Sequence, residues 1–288
     1  MFRDQLRQDA ARIQDQFDLV LAAYDDLPVT HAMGYATRGG KRLRGFLVLE
    51  TARLFEVDTT RAIWPATAIE ALHAYSLVHD DLPCMDDDDL RRGQPTVHVK
   101  WDEATAVLAG DALQTLAFDL VARVAVGTAE TRISLVQSLS EASGANGMVL
   151  GQALDMAAEA APAPLDLDQI TRLQAGKTGA LIEWSASVGA VLAEADPAPL
   201  RQYARALGLA FQIADDILDV EGDAEKAGKR LNKDDAAGKA TFVSLLGLDQ
   251  ARSRAAELIE QANAALEPFG SRTETLKQAA RFVIARDS

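Results

Sequence analysis

Residues 63–93 read IWPATAIEALHAYSLVHDDLPCMDDDDLRRG. Apolar residues recur in this stretch at helical spacing until Leu82-Pro83. The residue before a proline avoids helical backbone, so a helix is expected to stop there. Asp58-Thr59-Thr60 just upstream supplies an N-cap. A polar loop, CMDDDDLRRGQPT, follows, and Asp102 then caps a long apolar helix running through Val126. A long apolar helix that ends in carboxylates, a loop carrying more of them, and a second long helix set the pattern for the chain.

Outward from this core the same pattern repeats. Residues 4–24 read as an amphipathic helix. The segment HAMGYATRGGKRLRG places a glycine pair before the apolar run FLVLETARLF. Further helices are expected over 130–143, 145–159, 168–194, 198–220, 241–266 and 271–286, with residues 221–240 as the longest polar loop. APAPLDLD is too brief a linker to separate domains, and no fixed-period repeat is present. Aromatic residues are only 6% of the chain, while Ala and Leu abound, which favours helices over strands. The expectation is one all-α domain spanning 1–288.

The net charge of −14, from 29 basic and 43 acidic side chains, would repel nucleic acid and anionic membrane surfaces. Neither is expected as a partner, and no stable membrane insertion is expected. The most apolar stretch, Ala104 to Ala125, is interrupted by Asp111, Asp119 and Arg123. A single cysteine, Cys84, excludes an intrachain disulfide. The charged, periodic first 20 residues are unlike a signal peptide, so a cytoplasmic location is expected.

Chemistry concentrates in two acidic clusters. In the first, Asp80 and Asp81 close a helix and Asp86, Asp87, Asp88 and Asp89 lie just beyond. A helix C-terminus already carries partial negative charge, so six aspartates there call for something positive among them. In the second, FQIADDILDVEGD, Asp215 and Asp219 stand four apart on one helix face with Asp216 beside them. A solvated acidic surface accounts for either cluster alone; two, each at the end of an apolar helix, point to a ligand. Oxygen donors without His or Cys suit a hard cation such as Mg²⁺, which takes few carboxylates and completes its shell with water and phosphate. A bound diphosphate is implied. Basic residues cluster where it would need them: Lys41, Arg42 and Arg44 in GGKRLRG, Arg91 and Arg92, Lys177 in AGKTGAL, and Lys229, Lys233 and Lys239 after the second cluster.

GGKRLRG, HAYSLVHDDLPCMDDDDLRRGQPTVH, LAGDALQTLAF, GKTGALI, FQIADDILDV and GKATFV occur in the order seen in trans-isoprenyl diphosphate synthases. The chain resembles the bacterial farnesyl diphosphate synthase branch of that family. The resemblance implies an antiparallel helical bundle with a deep central cavity, working as a homodimer. It implies that Lys41, Arg44, His73 and Arg92 bind isopentenyl diphosphate. Asp80 and Asp86 would hold two magnesium ions and Asp215 a third, with Asp81, Asp216 and Asp219 close by. Arg91, Lys177, Lys229 and Lys239 would hold the allylic diphosphate, and Thr178 and Gln212 would face the reacting carbons. Tyr75, five residues before Asp80 and so about 7–8 Å along the helix, would floor the chain pocket and stop growth near fifteen carbons. Ser76 beside it is too small to block. The sequence departs from the family at Gly45, usually proline, at Leu150, usually the first glycine of GGQ, and at Gln174, often histidine.

The implied reaction ionises an allylic diphosphate, adds isopentenyl diphosphate head to tail and loses a proton. The alternatives are a geranylgeranyl synthase, differing only at the pocket floor, and a non-catalytic partner subunit, which the intact aspartates and lysines oppose. A cyclase on the same fold would not need GGKRLR and Arg91-Arg92, since it has no second diphosphate to hold.

Overall fold

The computed structural model describes residues 2–161, 163–221 and 240–285. Among these, the only strands form a two-residue hairpin, Leu90–Arg91 with Gln94–Pro95. The expected all-helical class is borne out. The chain divides into two compact units, Met1–Val136 with Val188–Ala195, and Gln137–Ser187 with Asp196–Ser288.

The first unit holds α1 (Phe2–Leu21), α2 (Pro28–Ala36), α3 (Leu43–Leu54), α4 (Thr59–Asp80), the hairpin, α5 (Val97–Lys100) and α6 (Glu103–Ala122). Pro28 starts α2, where its missing N–H has no helical partner to lose. Asp58 caps α4 through the Thr60 N–H, and Asp102 caps α6 through the Thr105 N–H, both as expected. α4 and α6 pack along each other, and Ile69, Leu72, Leu113 and Leu120 are fully buried. α6 is long and apolar enough to cross a membrane by length and composition. It is nonetheless a core helix of this unit, with Asp111 and Asp119 exposed along it.

The second unit holds α8 (Met148–Glu159), α9 (Leu167–Gln174) and α11 (Ala198–Glu221), followed by helices Phe242–Leu246, Leu248–Ala265 and Glu274–Ile284. The division between units falls within α7 (Ala129–Ser143) and α10 (Ala180–Leu192). α11 packs along Leu248–Ala265, and buried Tyr203 donates its hydroxyl to the Leu276 carbonyl at 2.9 Å. Two expected helices are interrupted. Between α9 and α10 the chain forms a π-helical turn, Ala175–Gly179, inside the stretch read as one helix. The stretch read as 241–266 breaks at Gly247, whose φ of 79° is left-handed.

Candidate active site

The first aspartate cluster sits at the C-terminal end of α4, with Asp81 as its C-cap. The loop beyond folds back on the helix. The Met85 N–H donates to the Leu82 carbonyl and the Asp86 N–H to the Asp80 carbonyl, both at 2.8 Å. Asp80 and Asp86, the two expected cation ligands, are thereby brought together at one helix end. Asp87 turns the chain there in a left-handed conformation that aspartate tolerates.

Arg91 reaches the cluster from the hairpin. Its Nε lies 2.9 Å from both oxygens of Asp81, and a terminal nitrogen lies 2.6 Å from one of them. Sequence reasoning assigned Arg91 to the allylic diphosphate and left Asp81 near the metals; here the two grip each other. Burial works against the Arg91 charge, but the bonds to Asp81 and the nearby Asp80 and Asp88 outweigh it, so its pKa is raised. Burial raises the Asp81 carboxyl above the usual range despite Arg91, and Asp88 and Asp86 push it the same way.

His73, two turns back on α4, lies among arginines. Burial, then the charges of Arg44, Arg92, Arg91 and Arg42, push its pKa well below the ordinary imidazole value. A neutral ring offers a single N–H donor. His73, Arg44 and Arg92 are thus gathered, while Lys41 lies exposed three residues before Arg44. A cavity of about 270 Å³ opens beside Arg91 and Arg92, walled by Tyr35 and by Ala74, Leu77 and Val78 of α4. Asp81 lines the same cavity, so the Arg91–Asp81 pair and Arg92 form its charged side and α4 its apolar one.

Gly45, the first departure from the resembled motif, has a local reason not to be proline. Its N–H donates to the buried Glu70 carboxylate at 2.8 Å, a bond proline cannot make. Glu70 also pairs with buried Arg42 at 3.5 Å. Tyr75 is half-buried, and burial with the charges of Asp80 and Asp111 raises its phenol, which stays neutral. Ser76 donates its hydroxyl back to the His73 carbonyl at 2.9 Å.

In the second unit, Asp215 and Asp219 share one face of α11. Asp216 is committed elsewhere, accepting from the Phe242 N–H at 2.6 Å. Lys177 and Thr178 lie on the π turn. The Lys177 ammonium is 2.6 Å from Asp155, a residue sequence reasoning missed. The signal was available: Asp155 stands one turn after Gly151 on α8. At Gly151 a Cβ would overlap the Lys177 backbone nitrogen, so glycine lets α8 reach the π turn while Asp155 meets its ammonium. Gln212 donates to Gln174 at 2.7 Å, which gives the third of the departures from the resembled pattern a local partner. Lys229, Lys233 and Lys239 lie outside the described residues.

Among the described residues no three His, Cys, Asp or Glu side chains form a ready-made cation cage. The carboxylates at the end of α4 and those on α11 are oxygen-only sets that fit Mg²⁺ completed by water and phosphate. Asp80, Asp86, Asp215 and Asp219 are the residues suited to that role.

Residues 28–280 match the Polyprenyl synthetase family, and the chain belongs to it. It is 48% identical over 275 residues to the farnesyl diphosphate synthase of Escherichia coli K12, covering 92% of this chain and 91% of that one. It is 40% identical to the farnesyl diphosphate synthase of Haemophilus influenzae, covering 100% and 99%. Among solved structures it resembles an FPP/GFPP synthase from Zymomonas mobilis, with a TM-score of 0.91, 47% identity and 98% coverage of both chains. The expected place beside the bacterial farnesyl diphosphate synthases is borne out.

Proposed function

We propose that this chain is a Mg²⁺-dependent prenyltransferase that condenses isopentenyl diphosphate head to tail with dimethylallyl or geranyl diphosphate to give farnesyl diphosphate. The observation that carries the reading is the end of α4: Asp86 is folded onto Asp80, His73 lies among the charges of Arg44 and Arg92, and Arg92 lines an apolar-walled cavity. Acidic and basic groups at one helix end support a diphosphate-binding reading. The family match over 28–280 supports residues 1–288 acting as a single catalytic domain.

In this reading Arg44, neutral His73, Arg92 and Lys41 hold isopentenyl diphosphate, with its five-carbon tail along the apolar wall of α4. Asp80 and Asp86 in the first unit, and Asp215 with Asp219 in the second, would hold magnesium, three ions in all, which would supply positive charge for the leaving diphosphate. Lys177, fixed by Asp155, with Arg91, Lys229 and Lys239, adds positive charge to it. The hydroxyl of Thr178 and the amide of Gln212 stabilise positive charge on the reacting carbons. The released diphosphate takes the final proton. Tyr75 floors the chain pocket and favours the fifteen-carbon product. The reading carries a cytoplasmic homodimer with it.

A product assay tests this. Purified protein receives labelled isopentenyl diphosphate and an allylic starter, with Mg²⁺ or with a chelator, and the products are dephosphorylated and sized. A magnesium-dependent fifteen-carbon product is expected, and Tyr75→Ala is expected to lengthen it. A twenty-carbon product from the parent would discard the Tyr75 floor. Absence of condensation in folded protein would sink the catalytic reading.

A further inference from the structure

Tyr75 does not stand alone on α4. His79 follows it by four residues and lies on the same face. The two rings meet edge to face, with centroids 5.1 Å apart and planes at 80°. His79 is itself held by the neighbouring helix. Its Nε2 lies 3.1 Å from the Val107 carbonyl oxygen of α6. A carbonyl only accepts, so Nε2 carries the proton. The ring rests in a notch at Gly110: a Cβ there would overlap Nε2 and Cδ2 of His79. Val107 and Gly110 are three residues apart, so one turn of α6 supplies both the acceptor and the opening.

We propose that His79, seated in the Gly110 notch, is a positioning residue that fixes the Tyr75 ring and thereby sets the length at which chain growth stops. This rests on Tyr75 being the pocket floor. A phenol can occupy several staggered rotamers, and only one that lies across the growing chain blocks it. An edge-to-face ring pair biases such a choice by roughly two- to tenfold. A Cβ at 110 would lie 2.1 Å from Nε2, so alanine would force the His79 ring back by roughly 1.5 Å to reach ordinary contact. That retreat breaks the Val107 bond and withdraws the edge from Tyr75. Product length then depends on a glycine on a different helix from the floor residue.

The test compares Tyr75→Ala, His79→Ala, His79→Phe and Gly110→Ala in the product assay, reading the ratio of twenty- to fifteen-carbon products. The rate of the first condensation and the melting temperature are followed in parallel, since general loosening lowers both without moving the ratio. Tyr75→Ala is expected to lengthen products. His79→Ala and Gly110→Ala are expected to raise the ratio by roughly two- to tenfold. His79→Phe keeps a ring edge against Tyr75 and is expected to stay near the parent. On the His79→Ala background Gly110→Ala should add nothing, because the notch acts through the ring. If Tyr75→Ala lengthens products while His79→Ala leaves the ratio at the parent value, the inference is overturned and the floor stands. If Tyr75→Ala itself leaves the ratio unchanged, the floor reading has failed and the inference falls with it. Should Gly110→Ala fold poorly, His79→Ala decides alone.

Discussion

Replacing Gly45 with proline, the residue the sequence resemblance leads one to expect there, should be damaging in this chain. The Gly45 N–H is bonded at 2.8 Å to Glu70, a buried carboxylate. Losing a hydrogen bond to a charged acceptor costs about 1.5–3 kcal/mol. A Cβ at this position would lie 2.5 Å from Ile13 and 3.1 Å from the Ala66 carbonyl, and overpacking of that kind costs about 1–3 kcal/mol more. The sum is roughly 3–5 kcal/mol, which in a chain of this size lowers the melting temperature by about 10 °C. A second effect reaches the site. Proline at 45 disfavours helical backbone at Arg44, the second residue of α3, so KM for isopentenyl diphosphate should rise by roughly tenfold or more, the effect of one charge-assisted bond. Thermal and urea denaturation with steady-state kinetics measure both. Glu70→Gln should partly absorb the effect in a double-mutant cycle, since it weakens the same bond. A Gly45→Pro protein that melts within about 2 °C of the parent and keeps its KM would refute the reasoning.

Asp155→Asn should lower kcat/KM for the allylic substrate by roughly tenfold or more, because the Lys177 ammonium loses a charged anchor; parent kinetics would remove Asp155 from the site. Gly151→Ala should lower stability by about 3 kcal/mol, read as a lower urea midpoint, since the new methyl overlaps the Lys177 backbone; an unchanged midpoint would show that α8 and the π turn can separate freely. His73 has its pKa depressed in the folded chain, so the unfolded chain takes up a proton first, near about pH 6.5. Its contribution to stability is present above that pH and is lost as pH falls below it, at up to about 1.4 kcal/mol per pH unit. The melting profile from pH 7.5 down to 5.5 should flatten in His73→Gln; an equally steep profile would mean the slope belongs to other groups.

Sequence disclosed most where the deciding chemistry is local. Asp58 and Asp102 cap helices two or three residues ahead, so each start could be read directly. The end of α4 was legible because proline and aspartates punctuate it. α2 was not foreseen: it has nine residues, too few for periodicity, and Pro28 was its one mark. The π turn carries no composition of its own, since AGKTG would continue a helix equally well; it is held by α8 packing close at Gly151. The partners of Lys177, Asp216 and Gly45 lie 22, 26 and 25 residues away in the chain. Such pairings are set by tertiary packing, so residue types could nominate the site while leaving its pairings open.

The fork between Arg91 and Asp81 links the two kinds of charge the site would receive. While Asp81 occupies the guanidinium, neither group is at liberty to serve an incoming ligand. A cation that drew Asp81 away would release Arg91 toward phosphate, and a phosphate that captured Arg91 would release Asp81 toward the cation. Each arrival lowers the cost of the other, so metal and diphosphate binding become thermodynamically coupled, and by linkage equally so in both directions. Cooperative uptake of the two would then come from a single exchange of partners at the end of one helix, with no lid needed to produce it.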